Sequence, residues 1–176
     1  MAGAINRKLV LADGTEYLGT GFGAACDRVC ELVFQTSMVG YQEIVSDPSY
    51  TDQMVVMTYP LIGNYGMTDE DYETKTPTLG GLVVRDYCGT PSNFRCQGDL
   101  DAFLRDRGVP GLWGVDTREL TRIIREHGVM NAAVTDGEPT EELLERVRAY
   151  SVQGVVAGAS VAAPVCLPCP GARFSV

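Results

Sequence analysis

The chain has 176 residues, 45% hydrophobic and 21% charged, enough for one compact domain with a sizeable core and a short extension. Its formal net charge of -9 and pI near 4.5 argue against nucleic acid or an anionic membrane as the main partner, since both are polyanions. No run approaches the roughly 20 apolar residues that span a bilayer, and MAGAINRKLVLADG holds too short an apolar run for a signal peptide, so a soluble, cytoplasmic protein is expected.

Arg7 to Ala12 reads as a short strand, Asp13-Gly14 as a hairpin turn and Thr15 to Phe22 as the returning strand. The end of this hairpin, GTGFGA from Gly19 to Ala24, matches the G-x-G-x-x-[GA] dinucleotide pattern. A hairpin is not the strand–turn–helix unit that pattern requires, and a β-rich run follows instead of an amphipathic helix. The glycines are therefore read as easing a strand end or bulge.

Leu32 to Thr36 is the next strand, and Met38 to about Val45 makes one or two helical turns. Asp47-Pro48 then forces a corner, because proline disfavours helix at the residue before it. Ser49 and Tyr50 sit at that corner, and Asp52 is a cap for the next element. Met54 to Tyr59 is an apolar strand covered on both faces and stopped by Pro60. Gly63-Asn64-Tyr65-Gly66 is loop chemistry with positive φ angles. The whole stretch from Glu31 to Gly66 sets dense polar and turn chemistry between two buried strands, which is how a scaffold presents a surface.

Asp69-Glu70-Asp71 and Glu73 lack the spacing and glycine of an EF-hand and read as a solvated loop. Leu79 to Val84 is a buried strand with Arg85-Asp86 at its exit, and Pro91 to Arg95 is a polar motif with Phe94 as an aromatic anchor. From Asp99 the pattern becomes helix, strand, helix, strand, helix. Leu100, Phe103 and Leu104 face one way on the first helix, and Pro110 to Val115 is a strand with the only tryptophan. Asp116 or Thr117 caps the second helix, with Glu119 completing a capping box from Asp116, a stripe of Leu120, Ile123 and Ile124, and Gly128 as its stop. Val129 to Thr135 is a strand, and Thr140 caps a helix that buries Leu143, Leu144 and Val147. Arg118, Arg122 and Arg125 lie off the apolar stripe of the middle helix, as a solvated face or a docking patch.

Six cysteines do not imply disulfides in a chain of this size. Cys26 with Cys30, and the CLPC of Cys166 and Cys169, have half-site spacing for zinc or redox chemistry. The only histidine, His127, belongs to another element and is read as a structural group at a helix C-terminus, so the thiols are read as core-packing groups. No Ser/His/Asp or Cys/His constellation can be assembled.

FQTSMVGYQE (Phe34 to Glu43), DPSYTDQMVVMTYPLIGNYG (Asp47 to Gly66), SNFR (Ser92 to Arg95) and GVDTRELTRIIREHG (Gly114 to Gly128) together resemble the small subunit of glutamine-hydrolysing carbamoyl-phosphate synthetase. The motifs keep the family's order and cover most of residues 5 to 150; Val39 departs from it, standing where threonine is usual. The resemblance implies an α/β fold, a three-layer β/β/α swivelling domain of mixed sheets with covering helices over residues 1–150. It implies that Ser49 lies beside a glutamine site formed mainly by a class I amidotransferase domain with a Cys-His-Glu triad. Tyr41, Gln42, Glu43, Tyr50, Tyr59, Asn64 and Arg118 are expected to belong to a presented loop or interface, and an apolar patch around Tyr41, Tyr50 and Tyr59 is expected to make one such contact. Ammonia would pass to a large subunit that uses ATP and Mg to make carbamoyl phosphate for pyrimidine and arginine synthesis, with no cofactor held in this chain.

Nothing in the sequence resembles the amidotransferase nucleophile elbow or its later His and Glu. The catalytic domain is expected to be absent and the chain alone inactive, with residues 151–176 as a linker or atypical tail: a truncated end, a frame-shifted terminus, or a stretch disordered without its partner domain. The competing expectation is a free-standing interaction domain with no enzymatic role.

Overall fold

The structure is a computed structural model that describes residues 5–74, 78–161, 163–164 and 171. In chain order it contains β1 (Ile5–Leu11), β2 (Glu16–Gly23), β3 (Arg28–Gln35), α1 (Tyr41–Ser46), a single 3-10 turn (Pro48–Tyr50), β4 (Gln53–Met57), β5 (Leu61–Ile62), β6 (Gly81–Val84), β7 (Asp86–Tyr87), α2 (Leu100–Asp106), β8 (Pro110–Trp113), α3 (Thr117–His127), β9 (Met130–Thr135), α4 (Glu141–Ala149) and α5 (Val155–Ala159).

Seven of the strands close into a barrel in the order β1-β2-β8-β6-β4-β3-β9, because β1 pairs with both β2 and β9. β3, β4, β6 and β8 run parallel to one another, while β2 and β9 run antiparallel to their neighbours. The expected mixed α/β class is therefore observed, with its strands closed on themselves so that no open edge remains in this sheet. β5 and β7 form a separate two-stranded parallel ribbon.

Strand alternation sorts the core. Leu9 and Leu11 of β1, Leu32, Met54, Val56, Val83, Leu112, Ala132 and Val134 fill the barrel, joined by Leu120 and Ile124 of α3, which stopper the end where the parallel strands finish. The opposite faces of β4 and β6, with Val55, Met57, Leu82 and Val84, pack under α1 and α2. Val10, Leu9 and Leu11 are all buried, so β1 is covered on both sides.

The other end of the barrel is closed by Arg7, which shares the inward parity of Leu9 and Leu11 and is fully buried. Its Nε and one terminal nitrogen donate to the two carboxylate oxygens of Asp136, at 2.6 and 2.9 Å. The remaining donors reach the carbonyl oxygens of Phe22, Gly111 and Ala24 at 2.8–2.9 Å. All five guanidinium N–H groups are thereby answered, the condition under which a buried charge is tolerated.

GTGFGA makes room for this arrangement. A Cβ on Gly21 would stand 3.0 Å from the Arg7 guanidinium, and one on Gly19 would stand 2.4 Å from the Trp113 carbonyl. Gly23 adopts φ 67 as the strand ends. The segment runs into β3 and no helix follows, so the dinucleotide pattern is accidental and the strand-easing reading holds.

The helix termini follow the expected chemistry. Asp99 accepts from the Ala102 N–H, Asp116 from those of Arg118 and Glu119, and Thr140 from that of Leu143, each at 2.8–3.1 Å. Gly128 closes α3 at φ 83. Asp52 is a correction: it caps nothing, but turns the chain at φ 56 and donates its N–H to the Thr78 carbonyl. An aspartate tolerates that left-handed conformation better than most residues.

Replacing Arg7 by methionine leaves Asp136 and three carbonyls without their donors. Loss of one partner of a buried pair costs about 3–5 kcal/mol, so urea denaturation is expected to show a destabilisation of that order, and lysine, a single point donor, is expected not to rescue it.

Candidate functional site

The polar stretch between β3 and β6 folds as two braced loops. α1 begins at Gly40, whose φ of 81 and missing side chain leave its first N–H groups without a local cap. The Tyr65 hydroxyl, from a loop 24 residues later, accepts from both Gly40 and Tyr41 N–H at 3.1 and 2.8 Å. The two tyrosine rings stack with centroids 4.0 Å apart, and the Tyr41 hydroxyl donates to the Gly66 carbonyl at 2.7 Å. Burial pushes both phenols above their ordinary range. Gly63 and Gly66 take the expected positive φ, 95 and 71.

Gln42 completes the clamp. Its amide donates to the Thr68 carbonyl at 2.5 Å and accepts from the Thr68 N–H at 2.8 Å, pairing with the backbone as a strand would. Ser46 donates to the Gln42 carbonyl and accepts from the Glu73 N–H. Asn93 reaches the Tyr65 carbonyl at 3.4 Å, and the Asn64 carbonyl accepts from Ser92, so the SNFR motif is tied to the same loop.

Ser49 stands on a corner fixed from two sides. Asp47 accepts the Ser49 N–H at 2.7 Å, and Pro48 pre-sets the first residue of the turn. Thr51 donates to the Pro48 carbonyl at 2.7 Å, and the Tyr50 hydroxyl accepts from Gln35 at 2.9 Å. The Ser49 side chain is exposed, and its hydroxyl has no hydrogen bond among the described residues.

Of the residues expected on a presented surface, Ser49, Tyr59, Asn64 and Arg118 are exposed, while Glu43 and Tyr50 are half-buried. Tyr41 and Gln42 correct the expectation: they are 2% and 0% exposed, and they hold the loop from within. The apolar contact drawn around Tyr41, Tyr50 and Tyr59 therefore loses its first member. Phe94 is a second correction, since its ring is 98% exposed and anchors nothing. Arg95 instead pairs with Glu70 and Asp71 of the acidic loop.

No group of His, Cys, Asp and Glu among the described residues could hold a metal ion. Cys30 is buried in the barrel, where desolvation pushes its thiol up to about 12, while Cys26 lies against the Gly108 carbonyl. Cys166 and Cys169 lie outside the described residues. His127 is exposed on the last turn of α3, with Nδ1 3.1 Å from the Ile123 carbonyl.

A second feature lies beyond the loop. A groove of about 500 Å³ is lined by Arg85, Arg118, Arg122 and Arg125, with Thr58, Pro60, Thr117 and Thr121 between them. Ser49 precedes β4 and the groove follows it, so the corner and the groove lie toward opposite ends of that strand.

These features define a class of mixed α/β barrel domain that presents a braced polar loop with the Ser49 hydroxyl exposed at its corner. Residues 9–134 match the model of the carbamoyl-phosphate synthase small chain, CPSase domain, and the chain belongs to that family. The carbamoyl phosphate synthase small chain of Oceanobacillus iheyensis is 47% identical over 95% of this chain and 46% of its own length. That of Fusobacterium nucleatum subsp. nucleatum is 54% identical over 73% and 36%. The pyrimidine-specific small chain of Halalkalibacterium halodurans is 42% identical over 96% and 47%. The chain thus spans less than half the length of these relatives. An aminopeptidase from Aneurinibacillus sp. strain AM-1 aligns with a TM-score of 0.46 and 14% identity over 75% of this chain and 30% of its own, too loose a likeness to bear on function. No helix among the described residues is long and apolar enough to cross a membrane.

Gln42→Leu strands the buried N–H and carbonyl of Thr68 and is expected to cost about 2–4 kcal/mol in urea denaturation, whereas Ser49→Ala is expected to stay within about 0.5 kcal/mol. The neutral Cys30 thiol stabilises the fold fully below its ordinary value of 9.0, and that contribution is lost as pH rises toward about 12. Melting temperature is therefore expected to fall across that alkaline window, less steeply in Cys30→Ala.

Proposed function

We propose that this chain forms the N-terminal, non-catalytic part of the small, glutamine-hydrolysing subunit of carbamoyl phosphate synthase, a ligase. In that reading its corner serves glutamine hydrolysis, and the released ammonia reaches a large subunit that makes carbamoyl phosphate with ATP and Mg for pyrimidine and arginine synthesis. The observation that carries the reading is the family match across residues 9–134, with relatives 42–54% identical. The family's three-layer swivelling arrangement would correspond to this barrel flattened into two facing sheets, with helices as the third layer.

Ser49 is the residue proposed to reach glutamine. A hydroxyl can supply one directed hydrogen bond across a domain interface if its backbone does not move, and Asp47, Pro48, Thr51 and Tyr50 hold that backbone. Its hydroxyl is a neutral donor and acceptor, suited to the amide or α-amino end of glutamine but not to attack on it, since no base accompanies it among the described residues. The nucleophile and its base are assigned to an amidotransferase domain, so Ser49 would position and not react.

The purified 176-residue chain is expected to release no ammonia from glutamine, and measurable hydrolysis would overturn the assignment. In a full-length small subunit assembled with the large one, Ser49→Ala is expected to raise KM for glutamine several-fold, the scale of one lost hydrogen bond, and to leave ammonia-dependent carbamoyl phosphate synthesis unchanged.

A further inference from the structure

The bonds nearest the Ser49 corner are local: Asp47 accepts the Ser49 N–H, and Thr51 donates to the Pro48 carbonyl. Two further ties come from a distance. Thr51 meets the Thr78 hydroxyl at 2.5 Å, and Gln35, 15 residues before Tyr50, donates from Nε2 to the Tyr50 hydroxyl at 2.9 Å. Gln35 is the last residue of β3 and is half-buried. Its Oε1 accepts from the N–H groups of Thr36 and Ser37 at 2.6 and 3.0 Å, and from the Ser37 hydroxyl at 3.2 Å. These donors settle the orientation of the amide, because a flipped one would set its NH2 against two backbone N–H groups. Nε2 is left facing away from the loop, and its bond ends on Tyr50.

That bond spans most of a strand. β3 and β4 are parallel, and Gln35 is in register with Met57, the last residue of β4, whereas Tyr50 precedes the first, Gln53. The tyrosine side chain thus runs back along the sheet from the corner toward the far end of β4. Alternation puts Gln35 on the same face of β3 as Val33, and Val33 and Tyr50 both pack against the core beneath α1. The ring is gripped by apolar contact and its tip by Gln35. Its backbone follows Ser49 directly and donates an N–H to the Asp47 carbonyl at 3.1 Å.

Many half-buried tyrosines bond their hydroxyl and do no more than pack. Tyr50 differs in its place beside an exposed serine whose own hydroxyl has no hydrogen bond among the described residues. Ser49 cannot hold itself, so its position is set by the residues on either side. Asp47 and Pro48 fix the chain as it arrives, and Tyr50, located by Gln35, fixes it as it leaves. Through Oε1 the same amide extends the tie to Thr36 and Ser37, both exposed, at the start of the loop between β3 and α1.

We propose that Gln35 is a positioning residue for the glutamine site: acting through Tyr50, it holds the corner at which Ser49 offers its hydroxyl. The inference rests on the glutamine role proposed above for Ser49. Without the Gln35 bond the Tyr50 tip is released, the corner samples additional positions, and the hydroxyl meets glutamine in a smaller fraction of molecules. Apparent affinity falls with that fraction. The chemical step, assigned to another domain, is untouched. A carboxylate at position 35 would still accept from Thr36 and Ser37, and the Tyr50 hydroxyl would donate to it, so Gln35→Glu keeps the brace with its direction reversed.

The test measures carbamoyl phosphate synthesis by a full-length small subunit assembled with the large one, with glutamine or ammonia as nitrogen source. Gln35→Leu and Tyr50→Phe are each expected to raise KM for glutamine about threefold or more, with kcat and ammonia-dependent synthesis unchanged. Gln35→Glu is expected to return KM to near the wild-type value. In a Ser49→Ala background neither Gln35→Leu nor Tyr50→Phe is expected to raise KM further, since the group they position is gone. Circular dichroism melts check folding; Tyr50→Phe keeps the ring and its packing, and stands in should Gln35→Leu fail to fold. If Ser49→Ala raises KM while Gln35→Leu and Tyr50→Phe match wild type, the inference falls and the proposed function stands. Equal increases with and without the Ser49 hydroxyl, or a parallel loss of ammonia-dependent synthesis, show general loosening of the fold and overturn it as well. If Ser49→Ala leaves KM at the wild-type value, the glutamine role proposed for Ser49 fails, and this inference with it.

Discussion

Arg7 puts a guanidinium inside a barrel otherwise filled by aliphatic side chains, methionine and the Cys30 thiol. An unpaired charge there would be prohibitive, so the surrounding backbone must converge on it. The carbonyls of Phe22 and Ala24 at the end of β2, that of Gly111 at the start of β8, and the Asp136 carboxylate just after β9 all do so. One side chain thereby sets the relative position of four segments at the end of the barrel that α3 does not fill. An aliphatic plug of similar volume could match its stability, because buried ion pairs seldom exceed hydrophobic packing in net free energy. What the guanidinium adds is a fixed arrangement of strand ends, and the glycine at 21 gives it the space.

With both barrel ends closed, the polar residues between β3 and β6 are free of core-building duties and organise one another. Tyr65 substitutes for a missing helix cap, Gln42 pairs with backbone as a strand would, and Ser46 bridges α1 to Glu73. The result is a loop region with an interior of its own. Its rigidity is what allows an exposed hydroxyl such as that of Ser49 to be offered at a defined place. The arginine groove depends on the same scaffold: parallel strands deliver their following segments to one barrel end, so residues from β4, β6 and α3 meet there.

Several elements were legible from local chemistry alone. Asp13-Gly14 marked the hairpin, Asp99, Asp116 and Thr140 marked helix starts, and Gly128 marked a stop, since each acts on N–H groups or φ angles within a few residues. The buried Arg7 was missed, although its parity with Leu9 and Leu11, opposite a strand with glycine at alternate positions, was a readable signal. Tyr41, Gln42 and Phe94 were misplaced because amphipathic residues fit a surface and an interior equally well in sequence. Asp52 fitted a cap pattern, yet lies where a sharp turn was needed before β4.

The amino-acid order by itself therefore determined most of the element order, the caps and turns, the polar, surface-presenting character of the Glu31 to Gly66 stretch and the family to which the chain belongs. These rest on interactions between near neighbours and on motifs of contiguous residues. Tertiary structure alone decided that the strands close into a barrel, that Arg7 seals one end while α3 seals the other, and that Arg85 joins three arginines of α3. Each of these unites residues from distant parts of the chain, such as Arg7 with Asp136, 129 positions apart, and no local pattern encodes such a meeting.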